Sequence, residues 1–251
     1  MPLEVERIRN DRPANDLHYF RTIGSTMQEA ARLAHTGALH GSMVIADEQT
    51  AGVGRLGRSW VSESEVGIYC SVLLRLSLSP ESLPIATLLL GLAVAEAIQT
   101  STSVACDLRW PNDVLVNGRK IAGILAQLVD NCIIAGIGIN VNQTKFPAGL
   151  RTPATSLRLE SDGRTQSREA IVVQLLASLD SFCSLLTAEG PRAIVRAFTA
   201  ASSYALNRRV ILEETGQKGT TTGLDENGFL LIQFDSGRTE RVAAGGVRAA
   251  V

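Results

Sequence analysis

The chain has 251 residues and a net charge of −1, which suggests one or two domains and excludes the broad basic surface typical of nucleic-acid-binding proteins. The four cysteines stand singly in apolar runs, so buried, reduced thiols and a cytoplasmic location are expected. The first residues lack the apolar core of a signal peptide. The longest apolar stretch, 83–98, is interrupted by polar residues and predicts a buried helix with no membrane contact.

In chain order, residues 1–16 are polar and predicted to be frayed. Hydrophobic periodicity then predicts, in order, strand 17–21, helix 25–35, strands 42–48 and 67–75, helix 80–101, strand pieces within 108–116, strands 120–129 and 132–141, helix 167–186 and a shorter helix to about 201. Ser25 and Thr26 each stand three residues before a Gln or Glu, which is the pattern of a helix capping box. Capping alone is the simplest role for these two hydroxyls.

The last part of the chain has a different pattern. From about Asn207, short strand-like runs are separated by glycine-containing turns, which predicts a small antiparallel barrel or sandwich. We therefore place a domain boundary near Leu206, with residues 1–206 as one domain and 207–251 as a second.

The stretch 49–60, QTAGVGRLGRSW, is rich in glycine and arginine. Its glycines are Gly52, Gly54 and Gly57, and its arginines are Arg55 and Arg58. Glycine lets backbone N–H groups come close to a ligand oxygen, and arginine adds a planar fork of donors that suits carboxylate or phosphate. The loop therefore predicts an anion clamp, although a mobile, solvated surface loop fits this stretch alone equally well.

Four separated stretches together resemble one family. They are GSTMQEA (24–30), DEQTAGVGRLGRSW (47–60), RWPNDVLVNGRKIAGIL (109–125) and GIGINVN (136–142). In order and spacing they resemble the catalytic domain of biotin–protein ligases, and the last part of the chain resembles the C-terminal SH3-like domain of those enzymes. The resemblance implies an α+β fold, with a mixed β-sheet flanked by helices as in class II synthetases, plus a small SH3-like barrel.

The resemblance also implies a reaction in two steps. The biotin carboxylate attacks the α-phosphorus of ATP to give biotinyl-5′-AMP and pyrophosphate, and a lysine of a biotin carboxyl carrier domain then attacks the mixed anhydride. The site must supply positive charge where negative charge gathers and keep water from the anhydride. ATP with Mg²⁺ is the expected cofactor, and the enzyme is expected to be a monomer or a homodimer.

Individual residues acquire roles from the same resemblance. The biotin-binding residues would be Ser25, Thr26, Met27, Gln49, Val53, Gly54, Arg55 and Lys120, and the ATP- or adenylate-binding residues would be Arg55, Arg58, Trp60, Asn112, Asp113 and Asn140. Lys120 would bridge the biotin carboxylate and the α-phosphate, and Arg55 would restrain the adenylate. Mg²⁺ would lie near Asn112 and Asp113 and keep most of its waters. Plain core packing of Trp60 and strand-end hydrogen bonding of Asn140 remain alternatives.

Two departures from the family pattern matter. Val53 stands where the family usually has Arg or His, so it can contribute only its backbone to ligand binding. Only about 20 residues precede the catalytic domain, too few for a winged helix, so no DNA binding is expected. Arg248 follows a shortened closing motif, which leaves its role open. The competing interpretations are a lipoate or octanoate ligase or transferase of the same fold and a non-catalytic biotin-binding module.

Overall fold

The computed structural model of the chain describes residues 1–243 and 245–250. The helices are α1 Val5–Asp11, α2 Thr26–His35, α3 Leu83–Thr102, α4 Leu157–Glu160, α5 Arg168–Glu189 and α6 Pro191–Ala201. The strands are β1 Leu17–Ile23, β2 Met43–Gln49, β3 Gly67–Leu74, β4 Asp107–Arg109, β5 Asp113–Val116, β6 Arg119–Val129, β7 Cys132–Asn140, β8 Leu206–Leu212, β9 Lys218–Leu224, β10 Leu230–Phe234, β11 Thr239–Val242 and β12 Val247–Ala249.

The first seven strands form one mixed sheet in the order β1-β2-β3-β7-β6-β5-β4. β1 and β2 are parallel, and the other neighbours are antiparallel. β3 and β7 lie at the centre of the sheet and are buried along their whole length, so they read as continuous apolar runs without alternation. The tight turn between β5 and β6 is made by Asn117 and Gly118, both with positive φ, as the Asn-Gly pair predicts.

The two faces of this sheet are covered differently. α3 and α5 belong to the main apolar cluster on one face, whereas α2 packs with β2, β3 and β7 in a second, smaller cluster on the other face. α3 and α5 are long and apolar enough to cross a membrane by length and composition alone. Their buried side chains form part of the protein core.

The N-terminal segment differs from its prediction. Residues 1–16 are not frayed, because Leu3, Val5 and Ile8 are buried in the main cluster. The backbone N–H of Leu3 donates to the buried carboxylate of Asp47, which also pairs with Arg168 at 2.7 Å. The segment is polar overall, and the prediction therefore overlooked its three buried apolar residues and the hydrogen bond from Leu3 to the buried Asp47–Arg168 ion pair.

The strands β8 to β12 form a separate five-stranded antiparallel sheet in the order β11-β10-β9-β8-β12. The turn between β9 and β10 packs on the part of the chain that contains the seven-stranded sheet, since the indole of Trp110 donates to the carbonyl of Gly228 at 3.0 Å. A Cβ at Gly228 would lie 3.0 Å from Leu88 of α3. The division at residues 206 and 207 remains a prediction.

Candidate active site

The candidate site lies on the sheet face that α2 covers, at the point where glycines replace the larger residues of the strands. On β7, Ile134 packs under α2, whereas Gly136 and Gly138, further along the same face, carry no side chain. Gly138 is paired across the strands with Gly123 of β6. Glycine inside a strand marks the close approach of another group. We call Gly123, Gly136 and Gly138 the glycine floor.

Trp60 and Met27 lie directly on the glycine floor. A Cβ at Gly138 would lie 2.6 Å from Trp60 Cζ2, and one at Gly136 would lie 2.6 Å from Met27 Sδ. Ordinary carbon contacts are about 3.5–4.0 Å, so only glycine permits these approaches. The indole Nε1 of Trp60 is buried and has no hydrogen-bond partner within the described residues. An unpaired buried donor is costly, and this one is available to a ligand or a water molecule.

A neutral polar network forms the other end of this narrow cavity. Gln49 Oε1 accepts from the backbone N–H of Thr26 at 2.9 Å and from its hydroxyl at 3.1 Å, while Gln49 Nε2 donates to Ser62 Oγ at 3.0 Å. The Thr26 hydroxyl also contacts Ser71 Oγ at 2.9 Å. Ser25 is buried and makes no side-chain capping bond, so the predicted capping box is wrong. Its hydroxyl lines the cavity with that of Thr26.

The Gly/Arg loop folds back on itself above the glycine floor. Isolated bridges join Gln49 to Ser62 and Val53 to Ser59, and residues 55–57 make one 3₁₀ turn. A Cβ at Gly52 would lie 2.6 Å from the carbonyl oxygen of Trp60, so a side chain there would push the loop open. Val53 lines the narrow cavity and is 47% exposed.

Lys120 enters the site from the turn between β5 and β6. Its Nζ lies 2.5 Å from Asp113 Oδ1 and 5.3 Å from the centre of the Trp60 ring, close enough for a cation–π contact. The second oxygen of Asp113 accepts from Arg109 Nη2. Burial by itself raises the pKa of Asp113, but the charges of Lys120 and Arg109 outweigh it, so the pKa is lowered.

Arg55 reaches the same place from the Gly/Arg loop. Its guanidinium donates to the carbonyl oxygen of Gly245, which precedes β12 in the second sheet. Burial lowers the pKa of Arg55, and the nearby carboxylates Glu214 and Asp113 act against that shift. Arg58 is exposed at the mouth of the site.

Two adjoining cavities share one wall. The narrow one, of about 50 Å³, lies above the glycine floor, and the larger one, of about 760 Å³, opens between the two sheets. The residues that line both cavities are Gly54, Arg55, Trp60, Asn112 and Lys120. The arginine and the lysine come from distant segments, and both therefore line the junction of the two cavities.

Three remaining candidates line the larger cavity. Asn112 donates through Nδ2 to Ile124 O at 2.9 Å, and Asn140 donates to Thr155 O at 3.0 Å, which leaves each amide oxygen as the acceptor. Both oxygens of Asp113 already bind cations. This differs from the expected Mg²⁺ role of Asp113, and no cluster of three metal-binding His, Cys, Asp or Glu side chains occurs in residues 1–243 and 245–250.

The comparisons with known proteins agree with this geometry. The model of the biotin/lipoate A/B protein ligase family matches residues 19–143. The biotin–[acetyl-CoA-carboxylase] ligase of Mycobacterium tuberculosis is 34% identical over 232 residues, which cover 89% of this chain and 85% of that protein. The chain belongs to the biotin–protein ligase family.

Other members of the family support the assignment. The bifunctional ligase/repressor of Bacillus spizizenii is 34% identical over 88% of this chain and 70% of its own length. The biotin protein ligase of Aquifex aeolicus in complex with biotin and ATP has 30% identity and a TM-score of 0.80, over 94% of this chain and 99% of that chain. The predicted resemblance to biotin–protein ligases and the predicted α+β fold class are confirmed.

Sequence reasoning missed several residues of this ligase site. The glycine floor lay inside two quoted motifs, and the signal that could have revealed it was glycine within strands of otherwise large apolar residues. Arg109 begins one of the four motifs but received no role from the sequence, although it is only 7% exposed and forms an ion pair with Asp113. Glu213 and Glu214 line the larger cavity, and nothing in the local sequence indicated that.

Proposed function

We propose that this chain joins biotin to ATP to form biotinyl-5′-AMP and then transfers the biotinyl group to a specific lysine of a biotin carboxyl carrier domain. The observation that carries the proposal is the shared wall of the two cavities, where Arg55 and Lys120 stand together. A vitamin with a neutral head and an anionic tail fits the narrow cavity, and a nucleotide fits the larger one.

The polar network of the narrow cavity suits the head of biotin. The groups there are uncharged, and Gln49 fixes the orientation of Thr26 through two hydrogen bonds. Neutral hydroxyls can donate to or accept from a cyclic urea without a desolvated charge. The glycine floor lets Met27 and Trp60 lie close against the sheet, and a flat bicyclic ring would pack against these two side chains. Val53 contributes backbone only.

The two cations address the difficulty of the first step. An oxygen of the biotin carboxylate attacks the α-phosphorus, the bond to the β-phosphate bridging oxygen breaks, and pyrophosphate leaves. Lys120 screens the repulsion between the carboxylate and the α-phosphate, because its ammonium stands at the junction. Arg55 and Arg58 would face the phosphate side, and Arg55 would restrain the adenylate.

Mg²⁺ would arrive with the triphosphate and neutralise charge on the leaving pyrophosphate. It keeps several waters and needs few protein oxygens, and the amide oxygens of Asn112 and Asn140 suit that requirement. In the second step the acceptor amine attacks the acyl carbon, AMP leaves with the bonding pair, and the amine loses one proton to water. The closed loop would keep water from the anhydride before that attack.

The direct test is incubation with ATP and Mg²⁺, with biotin or lipoate, and with an apo biotin carboxyl carrier domain. We expect a mass increase of the carrier by one biotinyl group and release of pyrophosphate, with lipoate inert. Carrier labelling by lipoate, or binding of biotin without pyrophosphate release, would refute the proposal. Lys120→Ala should nearly abolish pyrophosphate release, whereas Arg55→Gly should release adenylate and label bystander lysines.

The location and partners extend the proposal. We infer a cytoplasmic enzyme from the four free thiols, three of which are buried, with a carboxylase carrier domain as its partner. The expectation of no DNA binding stays a prediction. A gel shift with biotin-dependent, sequence-specific operator binding would contradict that expectation.

A further inference from the structure

Lys120 is held in place from both ends. Its backbone N–H donates to Pro153 O at 2.7 Å, and its carbonyl accepts from Thr155 N at 2.9 Å. Its ammonium lies 2.5 Å from Asp113 Oδ1. The backbone and the tip of the side chain are therefore both fixed, and only the flexible stem lies between them.

The carboxylate that holds the ammonium is itself fixed. Asp113 and Arg109 are direct cross-strand partners on β5 and β4, and Arg109 Nη2 donates to Asp113 Oδ2 and, at 2.8 Å, to Thr152 Oγ1. The side chains of Arg109 and Asp113 are only 8% and 14% exposed. A carboxylate buried to this extent is stable only when its charge is compensated.

The net charge of the cluster depends on both cations, Arg109 and Lys120, that contact Asp113. If Asp113 were paired with Lys120 alone, it would cancel the positive charge that the reaction needs. With Arg109 balancing Asp113, the cluster retains one net positive charge, and Lys120 lies where that charge faces both cavities. Asp113 can then aim the ammonium without neutralising it.

We propose that Asp113 and Arg109 are positioning residues that act through Lys120, a proposal that rests on the function proposed above. In the free enzyme Asp113 holds the ammonium at the junction of the cavities. When the biotin carboxylate and the α-phosphate bind there, they contact an ammonium that already has the correct position. This role replaces the Mg²⁺ role that the sequence suggested for Asp113.

The first experiment compares Asp113→Asn with wild type for pyrophosphate release, biotin affinity by calorimetry, and dependence on Mg²⁺. Because misplacing a reacting group by about 1 Å can cost about 100-fold, we expect kcat to fall about 10- to 100-fold. The biotin Kd and the half-saturating Mg²⁺ concentration should stay within about twofold of wild type, which is at most about 0.4 kcal/mol. An increase in the Mg²⁺ requirement that accounts for the lost rate would make Asp113 a metal ligand and overturn the proposal.

Asp235→Asn is the matched control, because it makes the same substitution in an exposed ion pair with Arg209. It should leave kcat unchanged. Arg109→Gln should resemble Asp113→Asn in kcat and in biotin affinity. A normal kcat in Arg109→Gln would remove Arg109 from the proposal.

A double-mutant cycle with Lys120→Ala is decisive, because it separates positioning from a general structural role. If Asp113 acts through Lys120, Asp113→Asn causes no further loss of rate in the Lys120→Ala protein. An additive loss overturns the proposal. If Asp113→Asn lowers the melting temperature so far that the protein is unfolded in the assay, Asp113→Glu, which keeps the charge but moves it, takes its place in the cycle. The proposal then again requires no further loss of rate in the Lys120→Ala protein. Absence of biotin-dependent pyrophosphate release by the wild type would instead refute the proposed function.

Discussion

Replacing Gly138 by alanine tests the glycine floor directly. The new methyl group would lie 2.6 Å from Trp60 Cζ2 and Nε1, whereas such atoms normally stay about 3.5 Å or more apart. The indole ring must therefore retreat by about 1 Å. Trp60 lies in a loop and is only partly buried, so the ring can move, and we expect the cost to appear mainly in ligand binding.

The magnitude follows from the usual cost of overpacking. That cost is about 1–3 kcal/mol, which corresponds to a weakening of biotin binding by about 5- to 150-fold. The assay is calorimetric titration with biotin, supported by the fluorescence of Trp60, since the chain has only two tryptophans and Trp110 is buried and hydrogen-bonded elsewhere.

A second glycine provides the control for Gly138→Ala. Gly91 lies in α3, and a Cβ there would meet its nearest neighbours at an ordinary 3.7 Å. Gly91→Ala should leave biotin affinity unchanged and stabilise the helix by up to about 1 kcal/mol. Unchanged biotin affinity in Gly138→Ala would show that the ligand does not use the glycine floor, and the reasoning about the narrow cavity would be wrong.

The remaining predictions concern stability, reactivity and the loop. Arg168→Ala should destabilise the fold by about 3–5 kcal/mol in chemical denaturation, because it leaves the buried charge of Asp47 unpaired; Arg192→Ala, in an exposed pair, should change stability by at most about 0.5 kcal/mol. Burial raises the pKa of Cys70 to about 12, so the native thiol stays protonated at pH 8 and should resist iodoacetamide until the protein unfolds; rapid labelling of native protein would contradict this. The loop 52–60 should become resistant to protease when biotin binds, and equal cleavage with and without biotin would count against ligand-induced ordering.

Motifs that carry their own chemistry could be interpreted from the sequence. The Gly/Arg loop and the lysine after the Asn-Gly turn were expected to share one site, and Arg55 and Lys120 both line the two cavities; their roles stay predictions. The turn itself was predictable, since Asn117 and Gly118 adopt the positive φ that such a pair favours. The conformation of such a turn depends only on a few neighbouring residues of the chain, so the sequence is enough to predict it.

Features that depend on distant partners could not be predicted in the same way. The contacts of Asp113 with Arg109 and Lys120 could not be read from its sequence neighbourhood, and its Mg²⁺ role stays a prediction. Ser25 and Gln28 have the spacing of a capping box, but the Ser25 side chain makes no capping bond, and the half-buried Gln49 accepts the backbone N–H of Thr26. Leu3 looked like part of a polar tail, because its contact with Asp47 spans 44 positions of the sequence.

The contact between Arg55 and the second sheet has a consequence for synthesis of the protein. Glu213, Glu214, Gly246 and Val247 form part of the wall of the larger cavity, and the ribosome makes them after Arg55 and Lys120. A nascent chain that already carries the arginine and the lysine therefore still lacks the wall that would enclose a nucleotide. The larger cavity is therefore complete only when the second sheet is folded against the first.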